Sequence, residues 1–108
     1  MGGAGETQDI TTRMKTGCGY LDVTVKRDSR GLCEVFAVLE KAGGCATAQL
    51  EALSRLVSML LRAGIKPETI IKQLRGVKCH SIVWEEGRPI LSCADAIAIV
   101  LEQQIGQE

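Results

Sequence analysis

The cysteines are the residues of this chain with the most chemistry to offer, because their thiolates bind soft metal ions and act as nucleophiles. Four of the five lie where predicted strands and helices begin or end: Cys18, Cys45, Cys79 and Cys93. No two of these form a CxxC pair, so their spacing alone is a weak metal signal. Their positions at the junctions between elements are more informative than their spacing.

Two of these four cysteines open predicted helices. Cys45 and Cys93 each stand at a helix N-terminus, whose partial positive charge and free N–H groups lower the pKa of a thiol. Glycines flank Cys18 and precede Cys45, which permits the tight turns needed to bring several thiolates to one ion. On these residues alone, three roles stay open: metal ligand, reactive nucleophile, and packing as small buried side chains.

Cys33 and His80 are weaker candidates. Cys33 lies inside an apolar predicted strand and is expected to serve only in packing. His80 is the single histidine and follows Cys79, so it is a candidate alternative ligand or general base, although a lone histidine more often has neither role. The glycine-rich segments beside Cys18 and Cys45 lack the Lys-Ser/Thr of a phosphate-binding loop, and no Ser/His/Asp set can be assembled.

The first third of the chain predicts a β-hairpin that positions Cys18. Residues 20–26 alternate and are β-branched, residues 27–31 have turn chemistry, and residues 32–39 form a second, more apolar strand. Residues 1–15 are small and polar without periodicity. We therefore expect a flexible N-terminal arm there, followed by a single domain over residues 16–106.

Three helices are predicted to position the other cysteines. In residues 46–63, six apolar side chains fall at helical spacing and predict one stripe: Leu50, Leu53, Leu56, Val57, Leu60 and Leu61. A second helix begins with Pro67 and ends at Gly76, and a third follows the capping sequence at Ser92. This last helix is apolar on most sides, so it is either buried or faces a partner. Residues 77–84 are a candidate third strand.

Together these elements predict a small α+β domain, with three helices packed on one face of an antiparallel sheet. With 13 basic and 13 acidic residues and only three aromatic residues, a nucleic-acid surface is not expected. No apolar run approaches the roughly 20 residues of a membrane span, and the start lacks the apolar core of a signal peptide. We therefore expect a cytoplasmic protein with reduced cysteines.

Several motifs in order resemble the TSCPD domain, which occurs at the C-terminal end of adenosylcobalamin-dependent (class II) ribonucleotide reductases and also as short stand-alone proteins. The domain is named for a motif that here reads Leu-Ser-Cys-Ala-Asp, at residues 91–95. The resemblance spans about residues 14–105. It also rests on Thr16-Gly17-Cys18-Gly19, Glu34-Val35-Phe36, Lys41-Ala42-Gly43-Gly44-Cys45 and Ile71-Lys72-Gln73-Leu74-Arg75-Gly76.

The resemblance implies an accessory role rather than catalysis. The parent enzymes reduce ribonucleotides by radical chemistry, with catalytic cysteines and a cobalamin site in a large barrel that this chain does not contain. Reductases of this group also carry a C-terminal cysteine pair that re-reduces the active site, and no CxxC is present here to supply it. We expect a non-catalytic partner of the reductase catalytic chain or domain, or a self-associating protein, that supports deoxyribonucleotide synthesis.

A fainter similarity links the chain to iron–sulfur scaffold proteins of the NifU type and implies a NifU/SufE-like fold. Their three cysteine positions resemble Cys18, Cys45 and Cys93, but Tyr20 replaces the Asp that follows their first cysteine, and Cys79 adds a fourth thiol. Both departures favour a closed four-thiolate site for structural zinc over a transferable cluster. An iron–sulfur scaffold or carrier is the first alternative, and a nucleotide- or nucleic-acid-binding module is the second.

Overall fold

The computed structural model describes residues 7–106, which form an α+β fold of five strands and three helices. In chain order these are β1 (Gln8–Thr16), β2 (Gly19–Asp28), β3 (Gly31–Leu39), α1 (Gly44–Arg62), α2 (Pro67–Leu74), β4 (Val83–Glu85), β5 (Arg88–Ile90) and α3 (Cys93–Ile105). The predicted fold class, a small antiparallel sheet combined with three helices, is confirmed. Among the described helices, none combines the length and the apolar content that a membrane crossing requires.

Strands β1, β2 and β3 form one antiparallel sheet in that order. Leu21, Val23 and Val25 of β2 are buried, and so are the residues opposite them in β3. Side chains of successive strand residues point to opposite faces, so Asp22 and Thr24 lie on the other, partly exposed face. The sheet therefore turns one face to the core and the other to solvent, as antiparallel sheets commonly do.

Helix α3 lies at the centre of the hydrophobic core. Its residues 96–101 are all fully buried, and the helix packs against α2 and against strands β1 and β2. A helix that is apolar on most sides has no polar face to present to water, so other parts of the same chain cover it. Of the two outcomes that the sequence leaves open for this helix, burial is the one observed.

Strand β1 differs from the expected flexible arm over residues 1–15, because a regular strand begins at Gln8. Each of its residues pairs with β2, from Gln8 opposite Arg27 to Thr16 opposite Gly19. Only Met14 and Thr16 of this strand are buried. Its sequence therefore lacks the alternation of apolar and polar residues from which a strand is predicted. Pairing with the apolar β2 stabilises it instead. Residues 1–6 of the expected arm lie outside the described residues.

The prediction of a third strand over residues 77–84 is wrong in the length of the strand and in the sheet to which it belongs. The third strand of the main sheet is β1, and residues 77–82 contain no strand. Strand β4 pairs with β5 in a separate two-stranded hairpin that is closed by Glu86 and Gly87. Both turn residues have positive φ, 51° and 81°, as a two-residue type I′ turn requires. The turn residues, rather than the apolar run before them, determine where this hairpin forms.

Helix α1 lies along β3, an edge strand of the main sheet, and satisfies its free backbone groups. The Ser58 hydroxyl accepts a hydrogen bond from the Val35 N–H and donates one to the Val35 carbonyl, both at 3.0 Å. The Ser54 hydroxyl accepts from the Ala37 N–H at 3.2 Å. Four helical residues rise about 6 Å and two strand residues about 6.7 Å, so serines four apart match alternate residues of the strand. Buried hydroxyls thus take the place of a further strand.

Ser58→Ala is expected to lower the free energy of unfolding by about 1–3 kcal/mol, because the Val35 N–H and carbonyl lose a buried partner. Urea denaturation of variant and wild type measures the difference. The control is Ser29→Ala in an exposed turn, which should change stability by less than about 0.5 kcal/mol. Equal stability of the two variants would mean that the strand edge does not depend on Ser58.

The single apolar stripe predicted for α1 divides between core and solvent. Three of its six members are buried: Leu50, Val57 and Leu61. Leu53 is partly buried, whereas Leu56 and Leu60 are exposed. The prediction is therefore wrong for Leu56 and Leu60, because the helix turns its two serines, rather than the centre of the leucine stripe, toward β3.

Candidate functional site

Three of the four junction cysteines line one cavity of about 420 Å³. They come from the β1–β2 turn, the segment after α2 and the first residue of α3, and are Cys18, Cys79 and Cys93. Apolar side chains of β3 and α1, among them Leu39 and Leu50, form other parts of the wall. The fold thus brings together thiols that are far apart in the sequence.

The β1–β2 turn holds Cys18 through the side chain of Thr16, which is buried. The Thr16 hydroxyl donates to the Gly19 carbonyl at 2.7 Å and accepts from the Cys18 N–H at 3.2 Å. It also accepts a longer contact from Cys93 Sγ at 3.9 Å. One threonine side chain therefore connects the turn that carries Cys18 to the start of α3.

Cys79 is fixed by backbone groups of two neighbouring segments. Its N–H donates to the Leu91 carbonyl at 2.9 Å. Its Sγ accepts from the Ser81 N–H at 3.4 Å and donates to the Ser81 carbonyl at 3.2 Å. Gly17 lies so close to this loop that a Cβ built on it would be 2.1 Å from the Ser81 carbonyl oxygen. The turn that carries Cys18 and the loop that carries Cys79 are thus in direct contact.

Gly17→Ala is expected to push the turn away from the loop and to destabilise the domain by about 1–3 kcal/mol, because backbone atoms of Ser81 must move to admit the methyl group. Denaturant unfolding measures the loss. Gly44→Ala is the matched control, since no atom lies within 4 Å of a Cβ added there and alanine suits a helix better than glycine. A Gly17→Ala protein as stable as Gly44→Ala would contradict the close packing of turn and loop.

Cys93 is the first residue of α3 and is partly buried. Burial raises the pKa of its thiol; the Thr16 hydroxyl lowers it, and the neighbouring thiols of Cys18 and Cys79 raise it. The pKa of the Cys93 thiol is therefore raised where the helix N-terminus predicts a lowered one, and the main cause is that loss of hydration disfavours the thiolate.

Asp95 makes hydrogen bonds that reach well beyond its own helix. The cap is Ser92, whose hydroxyl accepts from the Asp95 N–H at 3.0 Å. The Asp95 carboxylate is buried and accepts from the Arg75 Nε at 3.1 Å, the Gly76 N–H at 3.0 Å and the Leu91 N–H at 3.1 Å. We call Asp95 and these three donors the Asp95 clamp.

The Asp95 clamp fixes the spacing between two of the cavity cysteines. Gly76 begins the segment that leads to Cys79. Leu91 immediately precedes the Ser92 cap of Cys93, and its carbonyl accepts from the Cys79 N–H. One carboxylate therefore ties the end of α2, the Cys79 segment and the first turn of α3 into a single unit. Local sequence rules miss this role because two of its donors lie about 20 residues earlier in the chain.

The remaining sequence candidates lie outside the lining of the cavity. Cys45 is in the first turn of α1 and is exposed, although the next residue, Ala46, lines the cavity. His80 follows Cys79 but is exposed and is not part of the lining. Cys33 lies in β3, where burial is the main factor that raises its pKa and its Sγ donates to a β2 carbonyl at 3.6 Å. Its surroundings suit the packing role that the sequence predicts.

The cavity thiols have the chemistry of a zinc or iron–sulfur site, since thiolates are ligands that both groups prefer. Within residues 7–106, no group of three or more Cys, His, Asp or Glu side chains is arranged to hold a metal ion. The donor types therefore fit these metals, and a bound ion would require the thiolates to close around it.

Comparison with known proteins gives one family. A family model described as the TSCPD domain matches residues 4–105, nearly the whole chain. No curated protein and no solved structure matches the chain. The matched region contains the three cavity cysteines, Cys45 and the Asp95 clamp.

Proposed function

Because the chain belongs to the TSCPD domain family, we propose that it is a non-catalytic, metal-binding accessory domain of a ribonucleotide reductase. The observation that carries this proposal is that Cys18, Cys79 and Cys93 line one cavity. A cavity of about 420 Å³ that three thiols border and that opens to solvent offers a metal ion both ligands and a route of entry.

The proposed ion is Zn²⁺, bound by the thiolates of Cys18, Cys45, Cys79 and Cys93. Of these four cysteines, Cys45 is the one outside the cavity lining, and the residue that follows it, Ala46, lines the cavity. His80 is the alternative fourth ligand, because it adjoins Cys79 and is exposed. A zinc ion with four protein ligands would serve a structural purpose, since it leaves no open position for a substrate.

Such a site would stabilise the domain by cross-linking elements that are far apart in the sequence. Its ligands lie on the β1–β2 turn, on the segment after α2 and at the starts of α1 and α3. Binding to a site that does not exist in the unfolded chain adds directly to the folding free energy. The Asp95 clamp and Thr16 would hold the metal-free site partly assembled.

Metal analysis of protein purified without a tag tests the metal site. We expect close to one zinc ion per chain, and loss of zinc in the serine variants of Cys18, Cys79 and Cys93. Cys33→Ser is the matched control and should keep its zinc, because this cysteine lies outside the cavity lining. Cys45→Ser and His80→Ala distinguish the two candidates for the fourth ligand. Wild-type protein that is folded and free of zinc would contradict the proposal.

An iron–sulfur scaffold or carrier is the alternative metal function. The three positions that resemble such scaffolds are Cys18, Cys45 and Cys93, yet Cys79 lines the cavity and Cys45 does not. The geometry therefore favours zinc. Anaerobic reconstitution with iron and sulfide separates the two, because charge-transfer absorption with stable uptake of both elements would support the scaffold.

The proposed partner is the catalytic chain or domain of an adenosylcobalamin-dependent ribonucleotide reductase, in the cytoplasm, because the family resemblance links the domain to the C-terminal end of that enzyme. Analytical ultracentrifugation of the zinc-loaded domain with such a catalytic chain tests this. A complex at micromolar concentration is expected. A domain that only self-associates, or that is instead retained with nucleic acid in a low-salt filter assay, would contradict it.

A further inference from the structure

The cavity contains a pair of thiols that is placed for oxidation as well as for metal binding. Cys18 is exposed and Cys93 is partly buried. Both contact the Thr16 hydroxyl, Cys18 through its N–H at 3.2 Å and Cys93 through its Sγ at 3.9 Å. Both cysteines also line the same cavity, and the neighbouring Cys18 thiol contributes to the raised pKa of the Cys93 thiol. The Thr16 hydroxyl therefore connects the backbone of Cys18 directly to the thiol of Cys93.

We propose that Cys18 and Cys93 form a reversible disulfide when the metal-free protein meets a hydroperoxide. The bond itself depends only on the positions of the two thiols. Its consequence rests on the proposed function, because the disulfide would remove two of the four zinc ligands. Zinc binding and disulfide formation would then exclude one another, so that oxidation controls whether the domain is loaded with metal.

The chemistry proceeds in two balanced steps. The thiolate of the exposed Cys18 attacks an oxygen of the hydroperoxide, which breaks the O–O bond, gives a sulfenic acid and releases an alcohol, or water if the oxidant is hydrogen peroxide. The Cys93 thiol then gives up its proton as its sulfur attacks the sulfenic sulfur, which forms the S–S bond; the sulfenic oxygen leaves with that proton as water. Two thiols lose two electrons and two protons, and the hydroperoxide accepts both.

The surroundings of the pair favour this bond over one to Cys79. A disulfide requires the two sulfur atoms to come to about 2 Å from each other. Cys18 lies in a two-residue surface turn that can make this movement, while Cys93 is held at the start of α3. The Sγ of Cys79 is engaged by both backbone groups of Ser81, which keeps it from competing.

Intact-mass measurement and peptide mapping test the proposal on the reduced, metal-free full chain. One equivalent of hydrogen peroxide is expected to lower the mass by about 2 Da. Digestion with trypsin and glutamyl endopeptidase should then give a cross-linked peptide pair with Cys18 and Cys93, because cleavage after Glu86 separates Cys79 from Cys93. Dithiothreitol should restore both peptides. Cys33→Ser should behave as wild type, and Cys18→Ser and Cys93→Ser should not form the bond.

Three results would overturn the proposal: a cross-link to a different cysteine, oxidation only to sulfinic or sulfonic acid, or no change in mass. Zinc content is measured on the same reduced preparation, so the two hypotheses can fail separately. A Cys18–Cys93 disulfide in a protein that never binds zinc would support the redox pair and contradict the metal site. Zinc binding without the disulfide would do the reverse.

Discussion

Asp95→Asn is expected to lower the free energy of unfolding by about 2–3 kcal/mol, because it weakens hydrogen bonds to a charged group and leaves a partly buried donor without its acceptor. The Asp95 carboxylate is buried and accepts from Arg75, Gly76 and Leu91. An asparagine offers one oxygen where the aspartate offers two, and its amide group would point an N–H at one of these donors. Urea denaturation followed by circular dichroism measures the loss.

Glu102→Gln is the matched control for this substitution, because Glu102 pairs with the same Arg75 but is exposed. An exposed ion pair contributes at most about 1 kcal/mol. The difference between the two variants therefore isolates the buried part of the clamp. If the two variants lose the same stability, the Asp95 clamp is not what holds the segments of Cys79 and Cys93 together.

Removing zinc with a chelator is expected to lower the thermal midpoint by roughly 12 °C or more, because several kcal/mol of metal binding contribute to the stability of a domain of this size. Thermal unfolding before chelation, after chelation and after zinc is restored measures the effect. The thermal midpoint of the Cys33→Ser control should change as that of the wild type does. The Cys93→Ser variant should have a low thermal midpoint that neither chelation nor added zinc changes. A midpoint that is the same with and without zinc in wild-type protein would contradict a structural metal.

The sequence could predict which cysteines approach one another only in part. Cys18, Cys79 and Cys93, which the sequence places at the ends of elements, line one cavity. Cys45 differs because the rotation of α1 about its axis is set by contacts that local patterns do not reveal. Ser54 is turned toward β3, and Cys45 lies nine residues, or two and a half helical turns, before it, on the opposite side of the helix.

The order of the strands could not be deduced from local patterns either. Apolar alternation predicts β2 and β3 correctly, because half of their side chains face the core. Strand β1 buries only Met14 and Thr16, so its pattern resembles that of a loop, and its pairing with β2 is a tertiary property. Ser54 and Ser58 accept hydrogen bonds from backbone N–H groups at the edge of β3. Helical periodicity does not predict this role, because it identifies only the apolar side chains of a buried face.

In the Leu-Ser-Cys-Ala-Asp motif, the sequence predicts the helix cap but not the long-range hydrogen bonds. Ser92 is the helix cap that the sequence predicts. The partners of Asp95 are not predictable from spacing, because Arg75 and Gly76 reach it only through the packing of α2 against α3. A motif of five residues thus combines a local cap, a cavity thiol and a long-range clamp.

The zinc content of untagged wild-type protein, measured beside Cys33→Ser and Cys93→Ser, tests the proposed function most directly. We predict close to one zinc ion per chain in the wild type and in Cys33→Ser, and almost none in Cys93→Ser. A folded wild-type protein without zinc that also takes up none when zinc is added under reducing conditions would contradict the metal site.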